Sequence, residues 1–544
     1  MAYTSTPEYS THQRKFLPVW GGETIASNVM LGVAETSNPT YQGLRYINCY
    51  PKRLELTNTD DQWVLTKAPV AVQETKTFSG SGTDPIGCVS SDGVYIWKGR
   101  RLYVNDATPG LLYTATDDLV VKTMFQVTNL SGSGTLYAGM LRNKTTGTMH
   151  SYTWLTTTST FTLSAAIPFA EASETAPWQS VFFNSRLYTI GSDQRIYNTP
   201  PGNYLSWAST DYIVPEMRAD TIVAILLYRN YLCAFSTQSI EFFQDAALEL
   251  GSPLQRQEAY ASLYGVKDAI NIAQTGDNIY FLSYEDRYGY GLYNLDNFIP
   301  KRISNFYVDT LLNNEDVSSD TPFSTRLHIA DMFGDPCVIF NMGFASAIYF
   351  ESGYVDVGYV FQGQQAQGFP YIVYSTKQKL WFEYQFSNEN DYDWTISVQT
   401  PGMMQLCSSS LLGQWKTYFV HSYNSNGEVS WYYLTKDYAP GQGSIAEMVY
   451  DIENFGTSLW KHIKSVDAIG DFGLNTVFLS WTDRADYSNY STPVPRLQSA
   501  IGAQNVLRWH NLGRHRQTAY RLRFSGTSNI KFNGLEVSYN LGNV

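Results

Sequence analysis

The stretch SIEFFQDAALELGSPLQRQEAY, residues 239–260, decides the fold because it reads two ways. Ile240, Phe243, Ala247 and Leu250 fall at helical spacing, whereas Ile240 and Phe242 alternate with Glu241 as residues of a strand do. The two readings put the charged side chains of Glu241, Asp245, Glu249, Arg256 and Glu258 on different kinds of surface. Local pattern alone does not choose, so the choice rests on what the rest of the chain repeats.

A unit does recur: a polar turn, an apolar-aromatic strand, a second polar turn and another aromatic strand. Copies open near Val94 in SDGVYIWKGRRLYVND, Leu187 in NSRLYTIGSDQRIYNTP, Tyr231 in RNYLCAFSTQSIEFFQD and Ile279 in GDNIYFLSYEDRYGYGLYNLD. Two more open near Val338 and Tyr371, and looser ones near Leu136 and Thr417. The mean spacing of about 46 residues is that of propeller blades. Ile240 aligns with Leu102, Ile196, Leu292, Ile348 and Leu380, each opening the second strand of a hairpin, so SIEFF is predicted to be a strand. QDAALELGSPL is then an excursion leaving the blade, its end marked by Gly251 and Pro253.

Composition agrees. The chain has 544 residues, 15% aromatic and 16% charged, with 41 Tyr and 40 Gly. Tyr, Phe, Trp and Val suit pleated, half-buried surfaces. The fold class is therefore all-β, a β-propeller-like repeat array of six to eight blades with inserted loops and a C-terminal β-sandwich-like module; a large sandwich or mixed β array is the competing reading. Blades stacked radially cover each other's faces and leave only short edges. Residues 1–60 read as an extended arm leading into the first blade, 61–435 as the propeller, and 436–544 as the C-terminal module. Insertions rich in Asn, Asp, Ser, Gly and Gln fall near 305–327 and 351–369. In TAYRLRFSG, Tyr520, Leu522 and Phe524 share one strand face and Arg521 and Arg523 the other.

The net charge of -12 argues against a chain that grips nucleic acid by neutralising phosphates. The last 44 residues are different: Arg508, Arg514, Arg516, Arg521, Arg523 and Lys531 face one acid, Glu536, so this segment carries +5 and the remainder -17. A basic segment on an acidic chain suits docking onto an acidic partner, although a merely solvated face is the commoner meaning of such a run. The five cysteines, at 49, 88, 233, 337 and 407, form no CxxC pair and are expected to be buried free thiols. No apolar signal core opens the chain and no run of 18 apolar residues occurs, so neither a secretory signal nor a membrane span is expected.

Catalytic and cofactor patterns are sparse. SGSGT occurs at 79–83 and 131–135, but neither copy leads into the Lys-Ser or Lys-Thr of a phosphate loop. His510 and His515 lie close in sequence without a third ligand at metal spacing. SSDGVYIW (90–97) and SWTDRADYSNY (480–490) resemble Asp-box turns without the regular spacing. Glu285, Asp286, Asp391 and Asp393 fall in predicted loops, where paired acids of a glycoside-cleaving or carbohydrate-binding propeller would stand. No cofactor, metal or catalytic residue is assigned.

STQSIEFFQDAALELGSPLQRQEAY resembles the packaged-DNA-stabilising tail hub proteins of short-tailed phages, in the pattern Ser-x-Glu-x-Phe followed by Gly-Ser-Pro. Ser239, Glu241, Phe243, Gly251, Ser252 and Pro253 carry it here. GLYNLDNFIPKRISN is similar to that family's Gly-aromatic-x-Pro-x-Arg-Ile-Ser turn through Phe298, Pro300, Arg302, Ile303 and Ser304, with Asn297 where the pattern has Gly. INCYPKRLEL, with Asn48 and Pro51, looks like the family's lead into the first blade. LRWHNLGRHRQTAYRLRFSG is similar to a Trp-x-x-Leu-Gly-x-x-Arg module of phage tail proteins, and marks Arg508, Trp509, Gly513, Arg514, Arg516, Arg521 and Arg523 as a candidate assembly interface.

The resemblance implies a non-enzymatic hub or nozzle of the virion tail, made in the host cytoplasm. It implies a ring, six-fold in the family, around the DNA channel below the portal and its adaptor ring. Such hubs hold tail fibres or spikes and help retain packaged double-stranded DNA, which passes without sequence-specific binding. The aromatic-rich surface would suit ring contacts. The acidic excess suits a conduit, since each phosphate neutralised by the wall would add attraction that ejection must overcome. The competing functions are a carbohydrate-binding or polysaccharide-degrading propeller and a cellular propeller scaffold.

Overall fold

The computed structural model describes residues 12–19, 45–54, 62–79, 86–247, 251–309, 312, 326–341, 371–384, 407–409, 416–423, 429–435, 446–498 and 505–541, with short gaps inside several of these spans. Strands dominate them and pair into eight sheets. Among the described residues no helix is long and apolar enough to cross a membrane.

Among the described residues seven blades follow one another along the chain. Blade 1 is built from Ile86–Val89, Tyr95–Lys98, Arg101–Val104 and Leu111–Thr114. Blade 2 spans 119–163, and its first position is split between Leu119–Val121 and Phe125–Val127, which both pair with Leu136–Asn143. Blades 3, 4 and 5 span 180–213, 222–256 and 272–302. Blade 6 comprises Arg326–Asp331, Pro336–Asn341, Tyr371–Ser375 and Leu380–Tyr384. Blade 7 takes Cys407–Ser409, Lys416–Tyr423 and Val429–Thr435 from its own stretch and its fourth strand, Val70–Lys76, from ahead of blade 1. That pairing ties the start of the repeat to its end.

Position within a blade sets burial. First strands touch the first strands of neighbouring blades, 86–89 against 119–121, 180–183 against 222–228 and 272–275 against 326–331. Fourth strands are the most exposed, as in Leu111–Thr114 and Thr160–Leu163. First strands therefore crowd toward the axis and fourth strands form the rim. Two-residue turns with positive φ join several hairpins: Asn184-Ser185, Arg229-Asn230 and Asn297-Phe298. This turn geometry matches the twist of paired strands.

The opening stretch resolves as a strand, Ile240–Asp245, third in blade 4. Both of its faces are buried. Ile240 and Phe242, with Cys233 and Phe235 of the preceding strand, fill the core against blade 5. Phe243, with Leu232 and Ala234, fills the core against blade 3. A strand packed on both sides reads as a continuous apolar run, which is why it could be mistaken for a helix. The Gly-Ser-Pro excursion does not leave the blade: Leu254–Arg256 returns and pairs with Phe243, Gln244 and Asp245 as the fourth strand.

Two expectations change. The repeat starts at Val338 and Tyr371 belong to one blade, because Cys337–Phe340 pairs with Ile372–Ser375. A long excursion between them made one blade look like two hairpins; Ile348 and the loop near 351–369 lie outside the described residues, as does most of 305–327. The N-terminal arm is also no separate lead into blade 1. His12–Pro18, Cys49–Leu54 and Gln62–Lys67 join a six-stranded sheet with Lys461–Asp471, Asn505–His515 and Lys531–Leu541. Arg45–Ile47 lies between Leu380–Tyr384 of blade 6 and Ala446–Val449, inside a nine-stranded sheet that continues through Ala519–Ser525 and Thr476–Thr482 to Val494–Leu497.

These two sheets face each other as a sandwich. Leu17, Tyr46, Tyr50 and Leu65 share its core with Met448, Ile463, Trp509, Leu522, Phe532 and Val537, and burial of those N-terminal apolar side chains draws the arm in. Tyr520, Leu522 and Phe524 point into this core, and Arg521 and Arg523 point away.

Candidate assembly site

The two stretches singled out around 239–260 and 297–304 meet at the seam between blades 4 and 5. Asn297 and Phe298 have φ of 50° and 67°. Asn tolerates this left-handed region, whereas for a Phe it is strained. Packing holds it there. The Phe298 ring stacks on Tyr260 with centroids 4.0 Å apart and meets Tyr228, Tyr231 and Phe242 edge-on at 5.1, 5.2 and 5.1 Å. Across the seam Arg229 donates to the Asn297 amide oxygen at 2.5 Å, so the residue standing in place of Gly makes a contact that Gly could not.

The signature polar residues are bolts in the same wall. Glu241 is 1% exposed. Its carboxylate accepts the backbone N–H of Met217 at 3.0 Å and of Glu216 at 3.4 Å and pairs with Arg256 at 3.4 Å. Arg256 lies opposite Phe243, a diagonal neighbour of Glu241 on the same face. Ser239 donates to Asp220, which also accepts the N–H of Gln238, fixing the turn ahead of the strand. Gly251 has a φ of 75°, which permits the sharp return to Ser252 and Pro253. Pro253 accepts the N–H of Ala246 at 2.8 Å and closes the excursion.

Arg302 does in blade 5 what Arg256 does in blade 4. It meets Asp309 at 3.0 Å and Glu285 at 3.6 Å, and Glu285 also accepts the Tyr293 hydroxyl at 2.9 Å. Burial first, and then the Glu285 hydrogen bond, push the Tyr293 phenol well above its ordinary range. Pro300 pairs with Leu295 in the hairpin. Ser304 accepts the N–H of Leu292, while the Ile303 carbonyl accepts the Trp381 indole N–H of blade 6. Residues 297–304 thus grip three successive blades. Pro51 is buried opposite Leu65 in the sandwich, and Asn48 lies outside the described residues.

The arginines of the C-terminal segment do not form one patch. Arg508 makes a two-point contact with the buried Asp467 at 2.7 and 2.6 Å, and Arg523 pairs with buried Glu447 at 3.1 Å. Arg521 covers Tyr490 at 4.1 Å and donates to Ser480. Trp509 is a core residue, its indole N–H donating to the Val494 carbonyl at 2.8 Å. Arg514 and Arg516 are exposed and flank the Trp460 ring at 5.3 and 5.1 Å, with Gly513, φ 99°, beside the bend. Arg508 and Arg514 stand on one sheet of the sandwich, Arg521 and Arg523 on the other.

The remaining sequence motifs are turns and core. Asp92 of SSDGVYIW accepts Ser90 Oγ, the Val94 N–H and the Tyr137 hydroxyl at 2.6, 3.1 and 2.5 Å. His515 hydrogen-bonds the Leu512 carbonyl, and His510 lies exposed on the same strand. Cys49, Cys88, Cys233 and Cys337 are buried. Among the described residues no group of three or more His, Cys, Asp or Glu could hold a metal ion. Asp286, Asp391, Asp393 and the Cys407 side chain lie outside the described residues. Sequence reading missed Asp220, Tyr260 and Asp309, and it named Arg256 without its Glu241 partner, which becomes visible only once strands pair.

Residues 91–325, from blade 1 to the region beyond blade 5, match the family Phage_stabilise, described as bacteriophage P22 Gp10, β-propeller. No curated protein matches the chain. Among solved structures, an exo-β-1,3-galactanase from Phanerochaete chrysosporium is 10% identical, with 93% of this chain and 98% of that one covered at a TM-score of 0.24. The WD40 domain of SCAP from fission yeast is 8% identical over 78% and 98%, at a TM-score of 0.34. Likenesses this loose assign nothing to the chain.

Proposed function

We propose, on the premise that the chain belongs through residues 91–325 to the phage-stabilising propeller family, that it is a structural hub of the tail of a short-tailed phage. In this reading copies of the chain form a ring, six-fold by family resemblance, around the DNA channel. The ring sits below the portal and its adaptor, retains packaged DNA, conducts it at ejection and anchors fibres or spikes. The observation that carries the reading is the family match itself, which falls on the blades whose seams the signature residues bolt together.

The local chemistry is in keeping with a scaffold. Glu241 is held by Arg256 and two backbone N–H groups, and Glu285 is shared by Arg302 and the Tyr293 hydroxyl. Carboxylates so engaged are set for holding blades together and poorly placed for the acid-base work of a glycosidase. Particles assembled without this chain test the reading: heads should fill, then lose their DNA, and supplying the chain in trans should restore retention. Heads that stay filled without it would sink the proposal.

A further inference from the structure

One strand joins the N-terminal arm to the C-terminal module. Lys531–Leu541 lies inside the six-stranded sheet, with one edge paired to Lys461–Asp471. Its other edge pairs with His12–Pro18 along the whole of that strand and meets Gln62–Lys67 where Phe532 stands opposite Leu65. Phe532, Leu535, Val537 and Tyr539 are core residues, and the Tyr539 hydroxyl donates to Gln13 at 2.8 Å. Among the described residues His12–Pro18 pairs with no other strand. The arm therefore docks on Lys531–Leu541.

The turn ahead of that strand grips the chain just before it enters blade 7. Asn529 Oδ1 accepts the Lys67 N–H at 3.2 Å and the Thr66 hydroxyl at 3.0 Å, while Asn475 Oδ1 and the Gly526 carbonyl accept the Lys67 ammonium. Leu65 and Ala68 are buried in the same core. Gly526 lets this cradle close: its φ is 146°, and a Cβ there would come within 2.9 Å of the Asn475 Cα and the Leu474 carbonyl oxygen. Beyond the cradle the chain becomes Val70–Lys76, whose one strand partner among the described residues is Val429–Thr435. An edge strand with a single ladder opens more readily than one paired on both sides, so its anchorage decides how long it stays closed.

Blade 6 leans on the same module. Among the described residues its Leu380–Tyr384 is the one rim strand continued by a further strand. Cys337, Ile339, Val373 and Phe382 share the sandwich core, with Tyr50 stacked on Phe382 at 5.0 Å. The described cores between blades 1 and 2, 3 and 4, and 4 and 5 hold no sandwich residue. Stability is thus divided: blades 1 to 5 support one another, and the closing end of the propeller is supported by the sandwich.

We propose that Val70–Lys76 is a strap worked by Lys531–Leu541. With that strand in place the arm docks, the cradle seats Lys67 and the strap closes blade 7. With it displaced, the arm and the strap open together while blades 1 to 5 keep their fold. The device belongs to a single chain and does not rest on the ring.

Native-state hydrogen exchange of the full chain in rising urea tests it. Amides of His12–Pro18, Val70–Lys76 and Lys531–Leu541 should open in one step, at lower urea than those of blades 3 and 4. Leu535→Ala, which loosens the strand, and Gly526→Ala, which crowds the cradle, should each raise the opening constant of Val70–Lys76 at least about tenfold and change that of blades 3 and 4 by no more than about twofold. The wild-type urea series needs neither variant, so a variant that fails to fold leaves a decisive measurement. Val70–Lys76 opening apart from the other two segments, before or after them, would overturn the strap. So would variants that open blades 3 and 4 as much as Val70–Lys76, because the chain would then be one cooperative unit.

Discussion

Phe298 offers the sharpest test of how the blades are joined. Its ring touches four other rings across the seam of blades 4 and 5, yet its backbone sits at φ 67°. Truncating a buried Phe to Ala costs about 3–5 kcal/mol, and this half-buried ring belongs at or below the lower end of that range, about 2–3 kcal/mol. Ala keeps a Cβ and so keeps the left-handed strain; Gly sheds it, worth about 1 kcal/mol. Phe298→Gly should therefore be less destabilised than Phe298→Ala by roughly 0.5–1 kcal/mol. At an ordinary strand position the order is reversed, with Gly the worse by about 0.5–1 kcal/mol. Urea unfolding, read by hydrogen exchange at the amides of 228–231 and 295–299, measures both. Gly falling below Ala would refute the turn geometry, and an Ala variant within about 0.5 kcal/mol of wild type would refute the ring's part in the seam.

Removing the Glu241 carboxylate leaves Arg256 to the exposed Glu258 at 3.4 Å and strands two backbone N–H groups, so Glu241→Ala should cost about 3 kcal/mol. That is the low end for a broken buried pair because Arg256 is 26% exposed. Glu241→Gln, which keeps an acceptor, should lose about half as much, and equal losses in denaturant melts would count against the pairing. Asp335 is 2% exposed and accepts Ser375 Oγ at 2.6 Å and the Lys377 N–H at 3.2 Å. Burial is the largest influence on its carboxyl and raises its pKa above 3.8. The folded state then holds the proton more tightly than the unfolded one. Its contribution is full below 3.8 and declines as pH rises through the folded value. Asp335→Asn should flatten that part of the stability–pH curve; an unchanged slope would remove Asp335 from the account. In blade 7, Val72 faces Tyr433 and Gln73 faces Tyr432. One of these two adjacent residues turns its N–H to the neighbouring strand and the other turns it outward. Proline at the first should expose blade 7 to limited proteolysis and proline at the second should not; equal sensitivity would argue against the pairing.

Much of the fold was legible because blade physics is local. A polar turn followed by an aromatic strand marks each hairpin, and seven of the eight repeat starts fall in seven different blades. The eighth, Tyr371, misled because a blade interrupted by a long excursion looks like two. Exposure along the blade was not legible. Leu232, Cys233, Ala234 and Phe235 are all fully buried, and only stacking tells which pair faces blade 3 and which blade 5. The signature residues were found as a pattern, but their work was hidden: Glu241 finds Arg256 through a strand pairing, and Arg302 finds Asp309 through a chain reversal. The C-terminal arginines looked like one basic interface in sequence. Strand alternation and the sandwich send them to two opposite sheets, and buried Asp467 and Glu447 claim two of them.

The route of the chain explains why the N-terminal residues escaped a reading based on repeats. Strands 12–18, 49–54 and 62–67 belong to the sandwich, and three residues after Lys67, at Val70, the chain enters blade 7 as its fourth strand. It leaves the seventh blade's own strands at Thr435 and is back in the sandwich at Ala446. The propeller is therefore entered and left through the sandwich. Its closing strand hangs from Lys67, whose buried ammonium donates to Asn475 Oδ1 at 2.6 Å and to the Gly526 carbonyl at 2.9 Å, across both sheets. A displacement of the sandwich acts on the propeller at two places: on blade 6, whose Leu380–Tyr384 is joined to the sandwich through Arg45–Ile47, and on that closing strand, which blade 7 borrows from a distant part of the sequence. Of the two, the blade 7 pairing is the one that costs the longest loop to restore.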